Sequence, residues 1–217
     1  RWQYKKGKHR GKGYSDHLAL YAYFDTKPYV PDADKVAVKT KRVTKNIEYF
    51  YTKEVLENEV LLYDAVVIWK HKGNAIIKQS KKGRGVFLYG CATKLEVGKK
   101  YDLLVQAMKT YKGLKELTHV YVLQDKGEEN TSDYFLKQRD LSDKIISRQN
   151  EVVKDIVGVY KNKHLYVEGL KIPIYFKKKK STPPNGVKLK IHNALLGYYK
   201  KLQLVIYRTK DFTVLEK

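Results

Sequence analysis

Hydrophobic and polar positions alternate in short bursts along most of this chain. Val187, Leu189 and Ile191 fall on one side of an extended segment, and Lys188, Lys190 and His192 on the other. Successive side chains of a strand point to opposite faces, so this period of two predicts a half-buried strand. Leu202, Leu204 and Ile206 repeat the division. The pattern also occurs twice, in the stretch from Asn58-Glu59-Val60 to Leu117 and in that from Asn150-Glu151-Val152 to Val205. The offset between the copies is about ninety residues, a reasonable size for one small β unit.

Each copy opens on an apolar run, Ala65-Val66-Val67-Ile68-Trp69-Lys70 or Ile156-Val157-Gly158-Val159-Tyr160-Lys161. A polar turn follows, then strands ending in Val86-Phe87-Leu88-Tyr89 or Ile172-Pro173-Ile174-Tyr175. Gly98 and Gly186 precede the next alternating strand. Each copy closes on a Tyr-Lys-x-Leu signature, Tyr111-Lys112-Gly113-Leu114 or Tyr199-Lys200-Lys201-Leu202. Short strands bounded by Gly, Pro and Asn predict an all-β chain, mainly β with a connecting helix, built as two tandem five-stranded barrels. Closure removes most of the exposed sheet edge.

The predicted organisation is a basic arm and extension over 1–57, a first barrel over 58–128, a connecting helix or linker over 129–149 and a second barrel over 150–217. Within residues 14–57, segments 18–24 and 35–39 read as at least one strand pair around a turn at 28–34, with a short helix as a further expectation. Between the barrels, Asn130 to Asp133 offers helix N-caps, and Leu141, Ile145 and Ile146 fall near one helical face. The chain begins without methionine, so a removed signal peptide or lipid-bearing cysteine is one expectation and a trimmed end another.

The glycine-preceded strand, Tyr-containing loop and terminal strand resemble the second half of an OB-fold, over roughly residues 58 to 125 and 150 to 217. In its tandem arrangement and its Lys and Tyr content the chain is similar to nucleic-acid-binding OB-fold lipoproteins of Bacteroidetes. That resemblance implies a cell-envelope or secreted location; without it the chain reads as cytoplasmic. It also implies a ligand surface on the middle strands and the first and fourth loops.

Charge narrows the partner. Lys and Arg outnumber Asp and Glu by 45 to 23, for a formal charge of +22. Lysines keep β proteins soluble and blunt their edges, but an excess this one-sided points to a polyanion. Nineteen tyrosines add rigid aromatic faces that can stack on unpaired bases while lysines neutralise phosphates. The candidate nucleic-acid-binding residues are Trp69, Lys72, Lys82, Arg84, Phe87, Tyr89, Tyr111, Lys112, Tyr160, Tyr166, Tyr175, Lys177, Lys179, Tyr198, Tyr199 and Lys200. For each aromatic, cross-strand packing is the competing role. Lys177 to Lys180 could equally be a solvated hairpin end, and Arg84 sits in a Gly-Arg-Gly turn.

The chain carries no Walker loop, nucleophile elbow or His-Glu-x-x-His helix, and its six histidines are not spaced as metal pairs. Cys91 is the only cysteine, which excludes an internal disulfide and a thiolate cluster. No stretch approaches the ~20 apolar residues of a membrane span. A non-enzyme without cofactors is expected. It would bind single-stranded DNA or RNA, with an acidic polysaccharide or acidic protein as the alternative partner.

Overall fold

The computed structural model describes residues 41–216 together with a short strand pair, β1 (Tyr4–Lys5) and β2 (Lys8–His9), which run antiparallel. The strands expected at 18–24 and 35–39 lie outside the described residues.

The first barrel is preceded by β3 (Arg42–Thr44) and α1 (Ile47–Tyr51). Asn46 caps α1, its side-chain oxygen accepting from the Tyr49 amide. Ile47 and Phe50 on α1 are buried in the barrel's core. The barrel itself comprises β4 (Glu59–His71), β5 (Asn74–Lys78), β6 (Gly85–Leu88), β7 (Lys99–Tyr111) and β8 (Leu114–Glu128). Neighbours run β4-β5-β6-β8-β7, and β7 pairs back onto β4, so the sheet closes. β6 and β8 are parallel; the other pairs within the ring are antiparallel.

The second barrel has the same order with its long strands broken. β9 (Glu151–Val153) and β10 (Ile156–Lys161) stand where β4 stands. They are followed by β11 (His164–Val167) and β12 (Leu170–Phe176). β13 (Lys188–Ile191) and β14 (Ala194–Tyr199) replace β7, and β15 (Lys201–Ile206) and β16 (Phe212–Glu216) replace β8. β12 and β15 are the parallel pair, and β14 returns to β9. Asp64 (φ 57) and Asp155 (φ 53) mark the kink in the first strand of each barrel. Aspartate tolerates this left-handed geometry, and the bend lets the strand wrap the barrel. The chain is thus mainly β, with two tandem five-stranded barrels of OB-fold-like strand order.

The connecting helix is one turn long, α2 (Asp143–Ile146), with Ser142 and not Asn130 to Asp133 as its cap. The backbone before it is engaged elsewhere: the Leu136 amide donates to Val152, and the Lys154 amide donates to Leu136. Leu136, Leu141 and Ile146 pack on the second barrel's core.

A third apolar cluster joins the barrels. Val66, Ile68, Trp69, Ile76 and Phe87 of the first meet Val152, Leu195 and Val205 of the second, with Tyr134 of the connection. Both faces of β5 and β6 are therefore covered, and Ala75 to Lys78 and Gly85 to Leu88 are buried without alternation. Within this seam the Lys78 ammonium contacts the Glu151 carboxylate at 3.0 Å, each side chain 1% exposed. Arg148 supplies a second partner to Glu151 at 2.7 Å. Burial pushes the Lys78 ammonium below the ordinary lysine value, against the pull of Glu151. Gly85 is required here, because a Cβ would collide with the Asn150 carbonyl.

Candidate functional site

The two Tyr-Lys-x-Leu hairpin tips meet. Lys112 (φ 52) and Gly113 (φ 94) turn β7 into β8, and Lys200 (φ 62) turns β14 into β15. The Lys200 amide donates to the Lys112 carbonyl at 2.9 Å. The Tyr198 ring lies directly on Gly113, where any Cβ would strike it. Tyr111 and Tyr199 stand with ring centroids 6.5 Å apart.

Below these tips a cleft of about 710 Å³ runs between the barrels. Its lining includes Phe87, Tyr89, Tyr111, Tyr175, Tyr198, Tyr199 and Tyr207, with Lys109, Lys177, Glu116 and Gln203. Tyr89, Tyr111, Tyr175 and Tyr199 are 41–49% exposed and so present ring area to solvent. Lysines lie over these rings: Lys109 over Tyr89 at 4.2 Å, Lys112 over Tyr199 at 5.2 Å, and Lys177 over Tyr175 at 5.9 Å and Tyr207 at 5.4 Å. An ammonium over a ring is held by the ring's quadrupole, loosely where solvent reaches it. The cleft therefore offers flat aromatic faces together with movable cations.

Glu116 is the cleft's one buried acid among the lining residues, at 4% exposure. It sits on β8 between Phe87 on β6 and Lys109 on β7. Lys109 Nζ lies 3.3 Å from its Oε2, without the alignment of a hydrogen bond, and that oxygen has no other partner. Burial pushes the Glu116 carboxyl above the ordinary glutamate value, with Lys109 and then Lys177 pulling the other way. Burial likewise raises the Tyr207 hydroxyl to about 12, aided by Glu116.

Seven of the sixteen residues singled out from sequence line the cleft: Phe87, Tyr89, Tyr111, Tyr175, Lys177, Tyr198 and Tyr199. Lys112 and Lys200 form its hairpin rim. Trp69, at 4% exposure, is instead sealed in the inter-barrel seam against Tyr207, with ring centroids 4.7 Å apart. Tyr160, at 6%, packs on Phe176 inside the second barrel. Neither ring has a free face. Arg84 is stacked 3.4 Å from the centroid of Tyr51, so it is not the exposed turn arginine its flanking glycines suggest. Tyr166 stands on the outer face of β11 with Lys171 over its ring at 6.0 Å, apart from the cleft lining. Lys72 and Lys82 are exposed between strands and Lys179 on a short 3-10 helix, all outside that lining.

Lys109, Glu116 and Tyr207 were not singled out. Glu116 and Lys109 carry no local motif; their pairing depends on β7–β8 register. Cys91 is half-buried against the first core, and burial raises its thiol. Among the described residues no cluster of His, Cys, Asp and Glu is placed to hold a metal ion. No helix there is long and apolar enough to cross a membrane.

No family model and no curated protein matches the chain, so the likeness to lipoproteins rests on sequence pattern alone. Among solved structures it is similar to a murine DNA-binding protein bound with double-stranded DNA, at 13% identity over 76% of this chain and 97% of that one, with a TM-score of 0.36. The Ifi202 HINa domain, in complex with a 20-base-pair double-stranded DNA, is similar at 14% identity over 74% of this chain and 100% of that one, with a TM-score of 0.30. A likeness this loose places no function on the chain.

Proposed function

We propose that this chain binds nucleic acid without catalysing its chemistry, that single-stranded DNA or RNA is the preferred form, and that unpaired bases enter the inter-barrel cleft. The observation that carries the reading is the convergence of Tyr89, Tyr111, Tyr175 and Tyr199, each partly exposed, with Lys109, Lys112 and Lys177 around one cleft. A ring face is usable only by a base that has left its own stack, which favours single strands. On binding, each lysine moves from its ring to a phosphate and frees the face for a base. The +22 net charge supplies the long-range attraction.

The test is a titration of labelled single-stranded DNA, single-stranded RNA, duplex DNA and heparin at two salt concentrations, with tyrosine fluorescence followed in parallel. Single strands should bind most tightly, with quenching and a steep salt dependence. Equal affinity for heparin without quenching would replace base recognition with charge alone, as for an acidic polysaccharide.

A further inference from the structure

We infer that the cleft selects guanine, with the Glu116 carboxylate accepting hydrogen bonds from the two adjacent N–H donors on that base's pairing edge while the surrounding tyrosines stack on its faces. This rests on the nucleic-acid reading above and adds base identity to it.

The barrel fold does not require an acid at this position. In the second barrel the parallel pair Tyr175 and Val205 occupies the place of Phe87 and Glu116, and Val205 is an ordinary apolar residue of the seam. Glu116 is nonetheless buried to 4% in a chain whose net charge is +22, and its Oε2 has only the Lys109 ammonium at 3.3 Å, without a well-aligned hydrogen bond. A buried carboxylate this poorly supplied with donors is costly, so a ligand that brings donors to it gains what the free protein lacks. The groups facing it are Lys109 from β7, Lys177 beyond β12 and Tyr207 beyond β15. Two ammonium groups against one carboxylate disfavour a cationic guest.

The guest must therefore be uncharged at its contacting edge, flat enough for a tyrosine-lined cleft, and equipped with two donors side by side, because a carboxylate offers two acceptor oxygens in one plane. Guanine meets this with its ring N–H and adjacent exocyclic amine. Adenine and cytosine set one amine beside an acceptor nitrogen, whose lone pair would face the carboxylate. Thymine and uracil flank a single N–H with two carbonyl oxygens.

The experiment uses the full chain and labelled oligothymidylates of about twelve nucleotides carrying one central guanine, hypoxanthine or adenine. Guanine should bind roughly tenfold tighter than adenine, with hypoxanthine, which keeps the ring N–H and loses the amine, between them. Glu116→Gln keeps the side chain's shape and should abolish this ranking. Equal affinity for guanine and adenine in the wild-type chain would overturn the selection and leave the general function standing. A ranking that survives in Glu116→Gln would also overturn it. Failure of every oligonucleotide to bind would remove both proposals.

Discussion

The outer face of β4 to β6 and the outer face of β10 to β12 are built from the same strands in the same order, yet they are used in opposite ways. On the first barrel that face is apolar and sealed: Trp69, Ile76 and Phe87 are all at or below 5% exposure beneath the second barrel. On the second it carries Val159, Tyr166 and Tyr175 at 38–41% exposure, with Lys171 beside them. One barrel has turned the surface that an OB-fold usually offers to a ligand into a structural seam. What stays open is the margin of that seam, where the second barrel's tyrosines meet the first barrel's hairpin tip. Pairing the barrels created the cleft.

The largest effect is expected where the seam holds its buried ion pair. Glu151→Ala would strand the Lys78 ammonium at a site where it has 1% exposure, a loss of about 3–5 kcal/mol. Urea unfolding followed by circular dichroism measures it. Replacing both partners, Lys78→Met with Glu151→Leu, should recover part of that loss, since the buried ammonium is removed with its carboxylate and only the partly exposed Arg148 guanidinium is left without its partner. Next comes Gly85→Ala, whose added methyl would run into the Asn150 carbonyl. It should cost about 1–3 kcal/mol through overpacking and weaken oligonucleotide binding by displacing one wall of the cleft. Unaltered stability in Gly85→Ala would mean the barrels are not packed as tightly as this contact implies.

The contrast between the faces was written in the sequence. Ala65-Val66-Val67-Ile68-Trp69 is apolar without interruption, and β4 is buried on both sides there. Ile156 to Lys161 alternates buried and exposed positions, as one covered face requires. The strand count follows from the same alternation, and the barrel order is what the resemblance to an OB-fold implied. Which tyrosines converge was not legible, because convergence depends on how two separately readable units dock. The Tyr-Lys-x-Leu signature marked both hairpins without revealing that Lys200 would bond to Lys112. Trp69 and Tyr160 share their periodicity with the cleft-lining aromatics, and only the packing of Tyr207 and Phe176 against them separates the two settings. The helix spacing around Leu141 yielded a single turn because Leu136 pairs with β9 and anchors the connection.

Binding variants sharpen the comparison further. Tyr175→Ala and Tyr199→Ala should each weaken single-strand binding by about 1–3 kcal/mol, the worth of one base stack. Tyr166→Ala, outside the cleft lining, should cost less in the same anisotropy titration. An equal loss would extend the interface across the open face of the second barrel. Lys177→Ala should leave quenching in place and lower the slope of log affinity against log salt by ~0.7, as expected for one phosphate contact on a single strand.

The smallest effect concerns pH and the unliganded protein. Folding raises the Glu116 value above that of the unfolded chain because burial outweighs Lys109 and Lys177. The native state therefore holds the Glu116 proton more readily than the unfolded state does. Its contribution to stability is fully present below the unfolded glutamate value and is lost as pH rises through the raised folded value. Over that window Tyr207, with its hydroxyl raised to about 12, stays neutral. Glu116→Gln has no proton to lose. Its stability relative to wild type should increase as pH rises above the unfolded glutamate value of about 4 and level off once the raised folded value is passed. Paired urea titrations across that range read the difference directly. A gap that stays constant with pH would mean Glu116 is solvated in the free protein, and the second barrel does not seal the floor of the cleft.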